Sequence, residues 1–125
     1  MLIHSIKSLI ATVSTGLMFA ASGAAHAADP GISEGTITLG MSAPFSGPNG
    51  AYGKEMKEGA MAYFAQLNAA GGIHGRKVEL LALDDGYETE KTVANTRKLI
   101  NEQKIFALMA YYGSSPTTEA MKVFS

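Results

Sequence analysis

From residue 36 onward the chain switches repeatedly between two hydrophobic periods. Thr36-Ile37-Thr38-Leu39-Gly40-Met41 alternates polar and apolar side chains, the pattern of a half-buried strand. The next twelve or so residues, 42–53, are dense in proline, glycine, serine and asparagine and read as a loop. Met56, Ala60, Phe64 and Leu67 then recur at three- and four-residue intervals. That spacing predicts a helix from about Tyr52 to Ala70, with Lys54, Glu55, Lys57 and Glu58 largely off its apolar face. Gly71-Gly72 ends it, because glycine accepts the left-handed cap conformation. After a turn over Ile73-His74-Gly75-Arg76, a second strand is expected from Lys77 to Leu83, closed by Asp84-Asp85-Gly86. A second helix is expected from about Glu88 to Asn101, with Val93, Thr96, Leu99 and Ile100 inward. Its acids Glu88 and Glu90 and its bases Arg97 and Lys98 sit at the ends that the helix dipole favours.

The unbroken apolar run Ile105-Phe106-Ala107-Leu108-Met109-Ala110 reads as a strand buried on both faces. Tyr111-Tyr112-Gly113-Ser114 turns the chain, Ser115 suits a helix cap, and Pro116 suits the first helical position. Strand and helix therefore alternate three times, which implies a parallel sheet covered by helices through right-handed crossovers. The expected fold class is α/β, a doubly wound parallel sheet. No internal repeat is visible.

The first 27 residues carry a different signal. Lys7 supplies a positive start, Leu9–Ala20 is apolar and uncharged, and Ala25-His26-Ala27 is a small-x-small cleavage site. This is the pattern of a secretory signal peptide, with cleavage expected after Ala27 and an apolar core too short to span a membrane. Cleavage would leave about 98 residues, one small domain preceded by a polar leader over 28–35. Export implies an oxidising compartment, yet the chain has no cysteine. Disulfides, thiolate metal sites and cysteine nucleophiles are thereby excluded. The formal net charge is −1, with no basic block, so nucleic-acid binding has no electrostatic support. Met121-Lys122-Val123-Phe124-Ser125 lies within an amphipathic pattern with no cap after it, so the chain is expected to be a fragment of a longer protein.

The candidate chemistry sits at the strand ends. Ligands in open parallel sheets bind at the carboxyl edge. Free N–H groups at the start of the helix near Ser115 attract an anion, and Ser114 and Ser115 add hydroxyl donors; an ordinary capped helix is the alternative. Tyr52 could cover an apolar ligand group or simply pack where the first helix begins. Of Tyr111 and Tyr112, one is expected to pack and the other to face the cleft. Gly47, Gly50 and Gly53 are spaced G-x-x-G-x-x-G, which matches neither the dinucleotide fingerprint nor the phosphate loop. Asp84-Asp85 could bind Mg²⁺ but is better explained by turn formation with Gly86. His74 lies in a glycine-flanked turn, and no G-x-S-x-G elbow or other catalytic constellation is present. No cofactor and no metal are called for.

Together these segments resemble a known family. Ser42-Ala43-Pro44-Phe45-Ser46-Gly47-Pro48 and Ala51-Tyr52-Gly53 resemble the first loop of periplasmic substrate-binding proteins of the leucine/isoleucine/valine-binding type. Asn68-Ala69-Ala70-Gly71-Gly72-Ile73-His74-Gly75-Arg76, Asp84-Asp85 and Gly113-Ser114-Ser115-Pro116-Thr117-Thr118 resemble three later stretches of that family, in the same order. The resemblance covers residues 36–125. It implies the N-terminal part of the first lobe of a two-lobed protein that closes on its ligand. The ligand would be an amino acid or related small carboxylate, delivered in the periplasm to the membrane permease of an ABC transporter. It further implies that Ser114 and neighbouring N–H groups hold the α-carboxylate, with Tyr52 near the bound side chain. The candidate ligand-contacting residues are Tyr52, Tyr112, Gly113, Ser114, Ser115 and Thr117. Family prototypes carry a disulfide in this lobe; Tyr87 and Gly113 stand near those places here, a difference expected to leave the site untouched. A receptor's sensing domain and an exported α/β enzyme are the competing readings.

Overall fold

The computed structural model describes residues 29–124; the expected signal peptide and its cleavage site lie outside the described residues. The elements run β1 (Thr36–Ala43), α1 (Gly50–Ala69), β2 (Lys77–Asp84), α2 (Thr89–Arg97), a π-helical turn (Lys98–Glu102), β3 (Ala107–Leu108) and α3 (Ser114–Met121). The three strands form one parallel sheet in the order β2-β1-β3. The expected α/β alternation is therefore present, with β1 in the middle.

β1 runs two residues further than the alternation predicts. Ser42 and Ala43 remain in register, opposite Leu83 and Asp84, and Met41 to Ala43 are fully buried. Pairing with a full-length neighbour overrides the turn propensity of this stretch. α1 begins at Gly50, two residues early, because the chain folds tightly behind it: Gly50 N–H donates to Gly47 O at 3.1 Å. Its inward face is the expected one, with Phe64 buried and Lys54, Glu55, Lys57 and Glu58 exposed.

The Asn68 motif at the end of α1 has a structural purpose. Its side-chain amide donates to Val78 O at 2.9 Å and accepts from Val78 N at 2.8 Å. A single asparagine thus completes the pairing of one residue on the outer side of β2. Gly72 and Ile73 then return the chain through an Ile73–Arg76 bridge.

The second helix is split. α2 ends at Arg97 and the wider turn over Lys98–Glu102 follows, marked by the Gln103 N–H bond to Lys98 O at 3.0 Å. Thr92, Thr96 and Leu99 are buried. Thr92 is an addition to the expected inward residues. Its hydroxyl is satisfied locally by Glu88 O at 3.1 Å and so can enter the core.

The apolar run at 105–110 departs most from expectation. Ile105 is buried, but Phe106 is 52% exposed and residues 107–110 are half-buried. The run is bonded to β1 through Phe106 N–H to Thr38 O and Met109 N–H to Gly40 O, both at 2.8 Å. No described strand pairs with its other side, so the run is an edge strand among the described residues, and Phe106 is left largely exposed. The leader is more ordered than its composition implies. Gly31 O accepts from Thr38 N at 2.8 Å, and Ser33 O accepts from Arg76 Nε at 2.7 Å.

Candidate functional site

Parallel register brings the carboxyl ends of β1, β2 and β3 to one edge of the sheet, and the loops that leave it are cross-braced. Asp85 is fully buried. Its Oδ2 accepts from Ser42 Oγ at 2.8 Å, and its Oδ1 accepts from Tyr87 N at 2.9 Å. Asn95 Nδ2 on α2 donates to Ser42 Oγ and to Asp84 O, each at 3.1 Å. Ser42 therefore donates to one neighbour and accepts from another, joining β1, β2 and α2 with one hydroxyl.

Asp84 braces the other loop. It accepts from Phe45 N at 2.7 Å, Ser46 Oγ at 2.6 Å and Gly86 N at 2.9 Å. The Ser46 hydroxyl, with backbone N–H groups, holds its carboxyl below the ordinary range against a smaller opposing effect of desolvation. Both acids are thus committed to loop geometry. Among the described residues no group of His, Cys, Asp and Glu is arranged to hold a metal ion.

Four tyrosines stand at this edge, and one of them, Tyr111, is anchored inward by a hydrogen bond. Thr96 Oγ1 gives its proton to Thr92 O at 2.7 Å, so the Tyr111 hydroxyl donates to Thr96 Oγ1 at 2.8 Å. Burial, together with the nearby Asp85, raises the Tyr111 hydroxyl above its ordinary pKa. Tyr111 is the one of the pair anchored inward, through Thr96, but both Tyr111 and Tyr112 line the cleft, so the expected division is not complete. The ring of Tyr112 stacks on Tyr52, with centroids 5.1 Å apart and planes 11° from parallel. On Tyr87 it leans at 5.7 Å and 56°. Desolvation, and then the Tyr52 and Tyr87 hydroxyls, raise Tyr112 as well.

α3 does not start as its sequence suggests. Gly113, not Ser115, is the cap, with φ 96° and ψ 136°, and no side chain caps the helix. Pro116 occupies the third helical position and is buried. The reason is steric: the chain must reverse sharply after Tyr112, and φ near 96° is glycine territory. The first helical bond is Thr117 N–H to Gly113 O at 3.1 Å. Pro116 has no N–H, and no described residue accepts from the N–H of Ser114 or Ser115. Those two donors point out of the helix start with the positive end of its dipole behind them.

An open cleft of about 570 Å³ lies beside Ser114, lined by Tyr87, Tyr111, Tyr112, Gly113, Ser114, Thr117 and Thr118. Among the described residues, no charged side chain lines it. Of the residues singled out from sequence, Tyr112, Gly113, Ser114 and Thr117 come together here, and Tyr52 joins them through its stack on Tyr112. Ser115 is exposed and does not line the cleft. Tyr87 does line it, contrary to the expectation that this position leaves the site untouched. The Ser42–Asp85–Asn95 brace was also missed; Ser42 and the acid pair stood in the sequence, but only the strand register brings them together.

The comparisons with known proteins point the same way. Residues 36–125 match the family model for periplasmic binding proteins. The chain belongs to that family. The Leu/Ile/Val-binding protein BraC3 of Rhizobium johnstonii is 37% identical over 98 residues, covering 78% of this chain and 24% of the relative. An amino acid binding protein of Pseudomonas aeruginosa is 33% identical over 88 residues, 70% of this chain and 24% of the relative. Among solved structures, the branched-chain amino acid substrate-binding protein LivJ of Streptococcus pneumoniae, in complex with isoleucine, superposes with a TM-score of 0.66. It is 32% identical, over 70% of this chain and 25% of that one. A fatty acid ABC transporter substrate-binding protein of Thermomonospora curvata gives 0.69 at 25% identity, over 77% and 24%. This periplasmic binding protein chain spans about a quarter of the length of the curated relatives it matches.

Proposed function

We propose that the chain is the N-terminal part of the first lobe, residues 36–125, of an exported solute-binding protein. It follows a signal peptide over 1–27 and a leader over 28–35. The protein captures an amino acid or related small carboxylate in the periplasm and presents it to the membrane permease of an ABC transporter. One observation carries the reading: the unpaired N–H group of Ser114, with the Ser114 hydroxyl, stands at a cleft with no charged side chain among its described lining residues, and the Ser115 N–H follows it at the same helix start. Such a donor set suits a carboxylate, and hydrogen bonds to a charged group are the strong ones. The isoleucine bound by LivJ and the fatty acid named for the Thermomonospora relative share that group, which supports the assignment. The tyrosines beside the donors suit the ligand's apolar part. The ligand is held rather than transformed, and affinity comes from how far it favours closure against a second lobe.

The test uses protein expressed from its complete reading frame and calorimetric titration with L-leucine, L-isoleucine, L-phenylalanine and benzoate. Ser114→Ala removes one charge-assisted bond and is expected to weaken binding by roughly tenfold to a hundredfold. Unchanged affinity in that variant would refute the placement of the carboxylate. Residues 28–125 alone present a one-sided cleft and are expected to bind none of these solutes at micromolar concentration.

A further inference from the structure

We infer that Tyr87 is a specificity-determining residue of this cleft, seated on Gly113, and that it turns the site toward ligands with a flat, unsaturated side group. The inference deepens the carboxylate reading above and rests on it. A β-carbon on Gly113 would lie 2.5 Å from Tyr87 Cε2 and 3.1 Å from both Cζ and Oη. The tyrosine ring therefore fills the space that any other side chain at 113 would need. Gly113 is also the cap of α3, so the ring sits against the residue that precedes Ser114, and Tyr87 and Ser114 line the same cleft.

Tyr87 is held there by its backbone. It is a bulky residue at φ 69°, a left-handed conformation that only specific support sustains. That support is the bond from its N–H to the fully buried Asp85 at 2.9 Å. The ring so held remains 41% exposed, on the side of the cleft that it lines. What it produces is a continuous row of rings beside the cleft, Tyr87 tilted on Tyr112 and Tyr112 stacked on Tyr52. A ligand anchored by its carboxylate lays its side group along this row. Aromatic pairs in offset or edge-to-face contact gain more than their buried area, worth roughly threefold to tenfold in affinity over an aliphatic group.

The experiment is calorimetry on protein from the complete reading frame, with L-phenylalanine, benzoate and L-leucine as probes. The wild type is expected to bind L-phenylalanine about tenfold tighter than L-leucine. Tyr87→Ala abolishes the preference, and Tyr87→Phe, which keeps the ring, retains it. Gly113→Ala weakens L-phenylalanine binding about tenfold or more with Tyr87 present, and much less when combined with Tyr87→Ala, because the displaced ring is then gone. If Tyr87→Ala does not fold, Tyr87→Leu reads the same ratio. An unchanged ligand ratio in the ring-less variant overturns the inference. So does an equal cost of Gly113→Ala in both backgrounds, since backbone strain alone would give that result. A wild type that captures none of the probes overturns the carboxylate reading and this inference together; a Ser114→Ala loss alongside neutral Tyr87 variants overturns this inference alone.

Discussion

Replacing Asp85 by alanine tests whether the brace beneath the cleft holds the loops. Asp85 is fully buried, and each of its side-chain oxygens accepts one hydrogen bond, from Ser42 Oγ at 2.8 Å and from Tyr87 N at 2.9 Å. Alanine leaves both donors without an acceptor. A buried unsatisfied donor costs about 1–3 kcal/mol. The Ser42 hydroxyl is wholly enclosed and bears the full cost, whereas Tyr87 is near enough to solvent for its N–H to recover part by bonding water. The expected loss is therefore about 2–4 kcal/mol, a large share of the roughly 5–15 kcal/mol typical of a domain. Asp85→Asn keeps Oδ1 for Tyr87 but turns an amide nitrogen toward Ser42, which already accepts from Asn95 Nδ2 at 3.1 Å. Only the serine proton is then stranded, so the loss falls to about 1–2 kcal/mol. Urea unfolding followed by circular dichroism measures both. Ser42→Ala combined with Asp85→Ala is expected to cost less than the sum of the two changes, since donor and acceptor leave together. An alanine variant within about 0.5 kcal/mol of wild type, or an asparagine variant worse than alanine, would contradict the reasoning.

Three further outcomes follow from single residues. Gly59 lies on the exposed face of α1, where an added β-carbon would meet nothing within 4 Å, so Gly59→Ala should raise the urea midpoint, stabilising the fold by about 0.5–1 kcal/mol. The same change at Gly53 would drive the β-carbon into Pro44 O and force α1 off the loop after β1; a melting temperature lowered by several degrees, or loss of soluble expression, is expected. Asp84 has a depressed pKa in the fold, so its bonds to Ser46, Phe45 and Gly86 add stability above the ordinary value of 3.8 that is lost as pH falls through the folded value. Stability measured from pH 5 down to about pH 2 should therefore drop more steeply in wild type than in Asp84→Asn, and parallel curves would remove Asp84 from the account.

Much of the architecture was legible because it depends on period. The alternation over Thr36–Met41 and the Met56–Ala60–Phe64–Leu67 stripe each survive into the fold with ends shifted by about two residues. What failed had a non-local cause. Ser42 and Ala43 look like turn residues until Leu83 and Asp84 are set beside them. Ile105–Ala110 has the composition of an enclosed strand, but enclosure depends on neighbours, and among the described strands only β1 flanks it. Ser115-Pro116 carries a strong local capping signal, yet the reversal after Tyr112 is made by Gly113 at φ 96°, which moves the helix start forward by two residues. Part of the candidate site could be read directly, since Ser114 and Thr117 follow the apolar run. The resemblance set Tyr87 near Gly113, but that the Tyr87 ring lines the cleft appears only when β2 and β3 flank the same strand.

The asparagine that closes α1 reaches beyond its own helix. β2 is the outermost described strand on its side, and an uncovered strand of Val78, Leu80 and Ala82 would invite another molecule to add to the ladder. With both polar atoms of the Val78 backbone taken by one amide side chain, an incoming chain finds the first rung occupied and cannot settle into register. A residue that reads as mere helix punctuation thereby helps keep neighbouring molecules from joining edge to edge.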